Sequence, residues 1–287
     1  MRKSTLTLAA AGVAALVIGA SAFAQEQAAV NAGEVNVYSY RQPFLIQPMF
    51  DAFTRDTGVK VNVVFAKQGL VERLKQEGRN SPADLIFTVD IGRLNDAYEA
   101  GVTAPVETAQ LTARIPAAFR QGEGHWYGLT QRARIVYASR ERVSAEDAPK
   151  TYEELADPKW AGRICTRAGN HVYQVALTAA MIAHYGEEKA EAWLRGLKSN
   201  LARKPQGNDR AQVKAISEGE CDISLGNNYY FGLMLQNEEQ FKWAQSVYPV
   251  FPKIGDTGTH VNISGMALTK ASPNRDNAVK LMEFLSG

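Results

Sequence analysis

The chain has 287 residues, of which 32 are basic and 30 acidic, a formal net charge of +2. Two of the basic residues, Arg2 and Lys3, lie in an N-terminal leader, and without them 32 − 2 = 30 basic residues face 30 acidic ones. Such a balance gives no electrostatic case for nucleic acid or an anionic membrane surface as partner. The length suits two domains that each bury a core.

Residues 1–24 read as a secretory signal. Arg2 and Lys3 are its charged region, 6–20 its apolar region, and Ala22-Phe23-Ala24 a small-residue cleavage site. The apolar run is too short and too rich in Ala and Gly for a membrane span. Gln25, not a cysteine, stands directly after the cleavage site, so a lipid anchor is not expected.

Downstream, strands and helices alternate. Val35-Asn-Val-Tyr-Ser has strand alternation and runs into the loop Tyr40-Arg-Gln-Pro. Leu45, Met49, Phe50 and Phe53 have helical spacing over 45–57, where Gly58 stops the helix. A strand over 59–65, a helix over 70–78, a strand from Asp84 opened by the turn Ser81-Pro82, and a helix over 93–100 follow. This order predicts a mostly parallel sheet covered on both faces.

The stretch from His125 through Ala138 is long, extended and β-rich, and reads as a strand crossing from one domain to the other. Thr151 and Glu154 have the spacing of a capping box for a short helix ended by Asp157-Pro158. A strand over 162–166 and helices over 173–185, 187–198 and 210–218 come next, with Asn208 or Asp209 as N-cap of the last. Residues 247–254 read as a returning crossover, 263–268 as a strand, and Ser272-Pro273 as the start of a helix to Leu285. The first lobe is therefore expected to be discontinuous, from 25–131 and 256–287, and the second to span 132–255. Paired crossing segments would make the two a hinged clamp with a ligand cleft.

Chemistry concentrates near Cys221-Asp-Ile-Ser-Leu-Gly-Asn-Asn-Tyr-Tyr. Residues 222–225 read as a buried strand and Gly226-Asn227-Asn228 as a turn, which puts Tyr229 and Tyr230 at the strand's carboxyl end, where open α/β sheets bind ligands. Phenolate is a hard anionic donor suited to Fe³⁺; the alternative is an aromatic pair packed at a domain rim. Cys165 and Cys221 fit a disulfide in an oxidising compartment, with two buried thiols as the alternative. Two distant cysteines do not make a thiolate metal site.

Taken together, the segments Val-Tyr-Ser-Tyr-Arg at 37–41, Ser-Pro-Ala-Asp at 81–84, Gly-Leu-Thr-Gln-Arg-Ala-Arg at 128–134, Thr-Tyr-Glu-Glu-Leu-Ala-Asp-Pro-Lys-Trp at 151–160, Asn170-His-Val-Tyr-Gln, Gly207-Asn-Asp-Arg-Ala-Gln and Asn-Tyr-Tyr at 228–230 resemble the periplasmic ferric-iron-binding proteins, the substrate-binding components of iron(III) ABC importers. The pairing of Tyr173 with Tyr229-Tyr230 is the specific part of the likeness. The resemblance implies a bilobal type II periplasmic binding fold of two mixed, mostly parallel sheets flanked by helices. It also implies a periplasmic location, an inner-membrane permease as partner, a monomer and no enzymatic activity. Carried over, it makes Tyr173, Tyr229 and Tyr230 phenolate ligands of Fe³⁺, with Arg132 or Arg134, or both, balancing charge or holding a carbonate.

The chain departs from that pattern in places. Gln42 and Pro43 stand where many relatives carry His-Tyr, and Val89 where one branch carries glutamate. Tyr40 is the nearest substitute and is expected as a fourth ligand, the alternative being carbonate and water. The family also continues beyond the helix that ends near Gly287, which reads as a fragment's end. His171 is expected in a supporting or exposed role, and His125, His184 and His260 as ordinary residues. A small anion such as phosphate or sulfate, or an organic solute, is the rival ligand. A cysteine enzyme lacks the required histidine spacing.

Overall fold

A computed structural model of the protein describes residues 32–287, so the predicted signal over 1–24 lies outside the described residues. The described chain divides into two compact units. One comprises the residues up to Val89 with Arg93–Leu129 and Gly265–Gly287, and the other Asp90–Gly92 with Thr130–Ser264. No described helix is long and apolar enough to cross a membrane.

The first unit is built on β1 (Glu34–Ser39), β2 (Lys60–Phe65), β3 (Leu85–Thr88) and the end of β8 (Val261–Leu268). Its strand order is β2-β1-β3-β8. β1 is parallel to both neighbours, with Val37 opposite Val63 and Leu85, whereas β3 and β8 are antiparallel, with Phe87 opposite Met266. Helix α1 (Pro43–Thr57) starts two residues before the predicted position because Pro43 occupies its first turn, where no N–H is needed. Gly58 ends it with φ 75°, a conformation that costs a glycine little. Ile46, Phe50 and Phe53 pack from α1 onto Val35, Val37, Leu85, Phe87 and Met266 to form the core. Helices α2 (Leu70–Glu77), α3 (Ile91–Glu99) and α4 (Ala109–Arg114) follow in sequence. The short α4, capped by Thr108 accepting from the Leu111 N–H, was not visible as a periodic pattern.

The second unit is organised by the long strand β4 (Tyr127–Ser139). From Arg134 onward β4 pairs antiparallel with β6 (Ile223–Asn227), and from Val136 with β7 (Val247–Val250), while β5 (Ile164–Cys165) runs parallel to β6. Val136 and Ala138 lie in one apolar cluster with Trp160, Leu177 and Trp193, whereas Ala133, Ile135 and Tyr137 lie in another with Val213, Ile216 and Met234. That split is the two-residue alternation of a strand covered on both faces. The covering helices are α5 (Val172–Tyr185), α6 (Glu187–Ser199), α7 (Asp209–Ser217), α8 (Tyr229–Leu235) and α9 (Glu238–Gln245). Helix α10 (Arg275–Leu285) returns the chain to the first unit's core.

Two local expectations are corrected. Thr151 does not cap a helix: the segment is a 3-10 turn over Glu153–Ala156, and Glu154 accepts from the Lys150 N–H instead. The final helix begins at Arg275, after Asn274, rather than at Ser272-Pro273. Cys165 and Cys221 form a disulfide, which closes the alternative of two thiols.

Candidate metal centre

β6 does not turn at Gly226-Asn227-Asn228 as expected; it continues through Asn227, and Tyr229 and Tyr230 open helix α8. The reason lies across the sheet. A Cβ on Gly226 would stand 2.4 Å from Cε2 of Tyr137, so glycine lets β6 pass over that buried ring. The Tyr137 hydroxyl donates to the Asn227 carbonyl at 2.7 Å, and Asn228 exchanges hydrogen bonds with the backbone of Ala133, each 3.0 Å. The polar triplet thus anchors the strand end to β4 and delivers two adjacent phenols from a fixed point. Their ring centroids are 4.3 Å apart, tilted by 38°.

Tyr173 enters from α5. His171 caps that helix, its Nδ1 accepting from the Tyr173 N–H at 3.2 Å, and its ring lies edge-on to the Tyr173 ring at 4.6 Å. The supporting role expected of His171 is therefore a helix cap. Tyr173 is linked by side-chain hydrogen bonding to Tyr229, and Tyr229 to Tyr230. All three rings are half-buried. Burial first, and then the neighbouring phenols, push the hydroxyls of Tyr173 and Tyr229 well above the ordinary phenol range. Burial followed by the charge of Tyr173 raises Tyr230 as well. Ionising any one phenol makes the next harder to ionise, which is what a tight cluster of anionic donors does before a cation joins it.

Guanidinium groups surround this cluster. Arg132 lies 4.9 Å and Arg167 5.3 Å from the centre of the Tyr173 ring, and Arg210 lies 5.8 Å from that of Tyr230. Arg132 is buried and paired with Asp90 at 3.2 Å; Arg134 is buried and paired with Asp209 at 2.7 Å. Asp209 also accepts from Arg167 at 3.1 Å and from the Asn227 N–H at 2.9 Å. Among the described residues, Arg132 Nη1, Arg134 Nε and Nη2 and Arg167 Nε are buried donors with no hydrogen-bond partner, while the Asn227 side chain donates to Tyr229. Three guanidinium groups thus face two carboxylates, and several of their N–H bonds are unspent.

Tyr40 stands differently from the other three. It is buried in the first unit, and its hydroxyl oxygen accepts from the N–H groups of Leu70 at 2.8 Å and Val71 at 3.1 Å, with the Arg93 guanidinium 4.4 Å over its ring. Gly69 precedes α2 and has no side chain to cap it, so Tyr40 supplies the missing acceptor. Both lone pairs are in use in this geometry, so Tyr40 would have to release at least one of these amides to serve as a fourth ligand.

Asn208, as expected, caps α7 by accepting from the Ala211 N–H. Asp209 and Arg167 were not foreseen as part of the site. Asp209 was read only as a possible cap, although it is fully buried and ion-paired. Arg167 could have been found from its position two residues beyond the Cys165 strand, with a charge at a strand's carboxyl end.

Residues 80–287 match the family described as bacterial extracellular solute-binding protein. The chain is 44% identical over 255 residues to iron uptake protein A1 of Synechocystis sp., covering 88% of this chain and 71% of that protein. Among solved structures it is similar to the apo ferric ion-binding protein A of Pasteurella haemolytica, with TM-score 0.85 and 54% identity over 88% of this chain and 80% of that one. It is also similar to a Trichodesmium protein in complex with iron and citrate ligands, with TM-score 0.83 and 41% identity over 89% and 81% of the two chains. The chain therefore belongs to the bacterial extracellular solute-binding proteins, has the bilobal type II α/β fold of periplasmic binding proteins, and acts as a binding component rather than an enzyme.

Proposed function

We propose that this protein binds ferric iron in the periplasm through the phenolates of Tyr173, Tyr229 and Tyr230 and passes it to the permease of an ABC importer. The observation that carries this reading is the meeting of the three phenols, two from the start of α8 and one from the start of α5, with Tyr229 hydrogen-bonded to each of the other two. The relatives named for iron uptake and ferric ion binding support the same cargo.

The chemistry follows from charge. With burial holding the phenols protonated at neutral pH, the incoming trivalent cation must displace three protons, and retention weakens as pH falls. Three phenolates neutralise Fe³⁺. Arg132, Arg134 and Arg167 against Asp90 and Asp209 then leave one positive charge, to which Arg210 beside the Tyr230 ring adds another, and an anion such as carbonate that takes up the unspent guanidinium N–H bonds offsets this excess. An oxygen-only donor set disfavours softer cations such as Cu⁺.

Titration of the iron-free protein with ferric citrate tests the reading. Tyrosinate bound to Fe³⁺ absorbs in the visible, so the protein turns coloured, and Tyr229→Phe with Tyr230→Phe removes the band while circular dichroism is unchanged. A wild-type protein that stays colourless rejects the proposal.

The unpaired guanidinium donors favour a second reading, in which a phosphate- or sulfate-like anion is the cargo. Under that reading iron-free protein binds phosphate tightly by calorimetry, Arg134→Met abolishes the heat, and ferric citrate yields no colour.

A further inference from the structure

The carboxylate of Asp209 touches more of the candidate centre than any sequence reading foresaw. Its Oδ2 accepts from Arg134 Nη1 at 2.7 Å and from the Asn227 N–H at 2.9 Å, and its Oδ1 accepts from Arg167 Nη1 at 3.1 Å. The residue is fully buried at the first position of α7, just after the capping residue Asn208. The three donors come from three separate pieces of chain. Arg134 belongs to β4, Asn227 ends β6 two residues before Tyr229, and Arg167 lies in the loop between β5 and α5, its guanidinium over the Tyr173 ring. Asn227 Oδ1 accepts from the same Arg134 Nη1 at 3.2 Å, which ties the end of β6 to β4 a second time.

We propose that Asp209 is a positioning residue for the iron centre: by holding the end of β6 and the Arg167 side chain on one carboxylate, it fixes Tyr229 and Tyr230 relative to Tyr173. This rests on the tyrosinate reading given above and deepens it. A buried carboxylate costs free energy unless every oxygen is used, and here both oxygens accept from charged donors and one also from backbone. Helix capping at this position is already done by Asn208, so a carboxylate is not needed for α7 to start. What the carboxylate adds is the link between the two tyrosine-bearing segments. The Arg163–Asp222 ion pair at 2.6 Å and the Cys165–Cys221 disulfide tie the same two stretches at their far ends, whereas Asp209 joins them at the end where the tyrosines stand.

The role is read by the ligand set, not by fold stability alone. Asp209→Asn keeps the shape and one acceptor for the Asn227 N–H but gives up the negative charge and one of the two charge-assisted contacts to arginine. Loss of a residue that orients metal ligands lowers metal affinity by about 10- to 100-fold. The expected result is therefore a fall of at least about tenfold in competition against citrate for Fe³⁺, with the visible tyrosinate band shifted in wavelength. The iron-free variant should keep the circular dichroism of the wild type.

Arg167→Met covers the case in which the Asn variant fails to fold. Its side chain is 12% exposed and forms the outermost arm of the link, so its removal leaves the Arg134–Asp209 pair in place. A shifted band in this folded variant supports the link to Tyr173. An unchanged band and affinity in either folded variant, beside a coloured wild type, overturns the role of Asp209 and leaves the tyrosinate reading standing. A colourless wild type overturns both, and so the two failures are told apart.

Discussion

Two tyrosines separated in role by their surroundings give the sharpest residue-scale test. Tyr229 has its hydroxyl among other phenols, whereas the Tyr40 oxygen is committed to the N–H groups of Leu70 and Val71. Tyr40→Phe should leave the visible iron band where it is and lower stability by about 1–3 kcal/mol, because two amides at the start of α2 lose their acceptor. Denaturant unfolding measures the second effect and the iron spectrum the first; a shifted band would make Tyr40 a fourth ligand. His260 gives a second test. Burial, then the charges of Arg132 and Arg134, push its imidazole down from 6.5 to about 4. Between those two values the unfolded chain binds the proton and the folded chain does not. This contribution to stability is therefore present above pH 6.5 and is lost as pH falls through 4, on the order of 3 kcal/mol in all. His260→Gln should flatten the fall in unfolding midpoint between pH 6.5 and 4, and an equally steep profile would assign that fall to other groups.

At the scale of elements, the junction between β6 and α8 is the part on which the site depends most. Gly226 lies against Tyr137, whose hydroxyl in turn holds the Asn227 carbonyl. Gly226→Ala should cost about 1–3 kcal/mol by overpacking. It should also reduce iron affinity, since the displaced strand end carries Tyr229 and Tyr230. Parallel measurement of melting temperature and iron competition checks both, and a fully stable variant would show that Tyr137 can move aside. The glycine and the two asparagines were legible as a break in the apolar strand, but not as a continued strand. Turn residues and residues chosen for close approach across a sheet look alike in one dimension. Helix α8 was missed for a related reason. Tyr-Tyr-Phe-Gly-Leu-Met-Leu has no polar face from which a helical period could be read.

Over the whole molecule, the disulfide is the one covalent constraint among the described residues, joining the β5 strand to Cys221, two positions before the β6 strand, across 56 positions. Replacing Cys165 and Cys221 together by Ala should lower unfolding free energy by about 2–5 kcal/mol, as read from the denaturant midpoint under oxidising conditions. An unchanged midpoint would show that the two strands are held in place by packing alone.

Local pattern was enough to assign the alternating α/β class, most strands and helices of both units, Phe50 and Phe53 as core positions of α1, and Tyr229 and Tyr230 as candidate donors. Those features are written in periodicity, caps and residue chemistry, which neighbours along the chain determine. Local pattern missed the buried Ile46 and misplaced Met49, which is exposed, and Tyr173 entered only through the family resemblance. The partners of Tyr40, the hub at Asp209 and the place of Arg167 were settled only by folding. Each depends on groups far apart in sequence, such as Tyr40 with Leu70 or Arg134 with Asp209, brought within hydrogen-bond distance by packing that no local window contains.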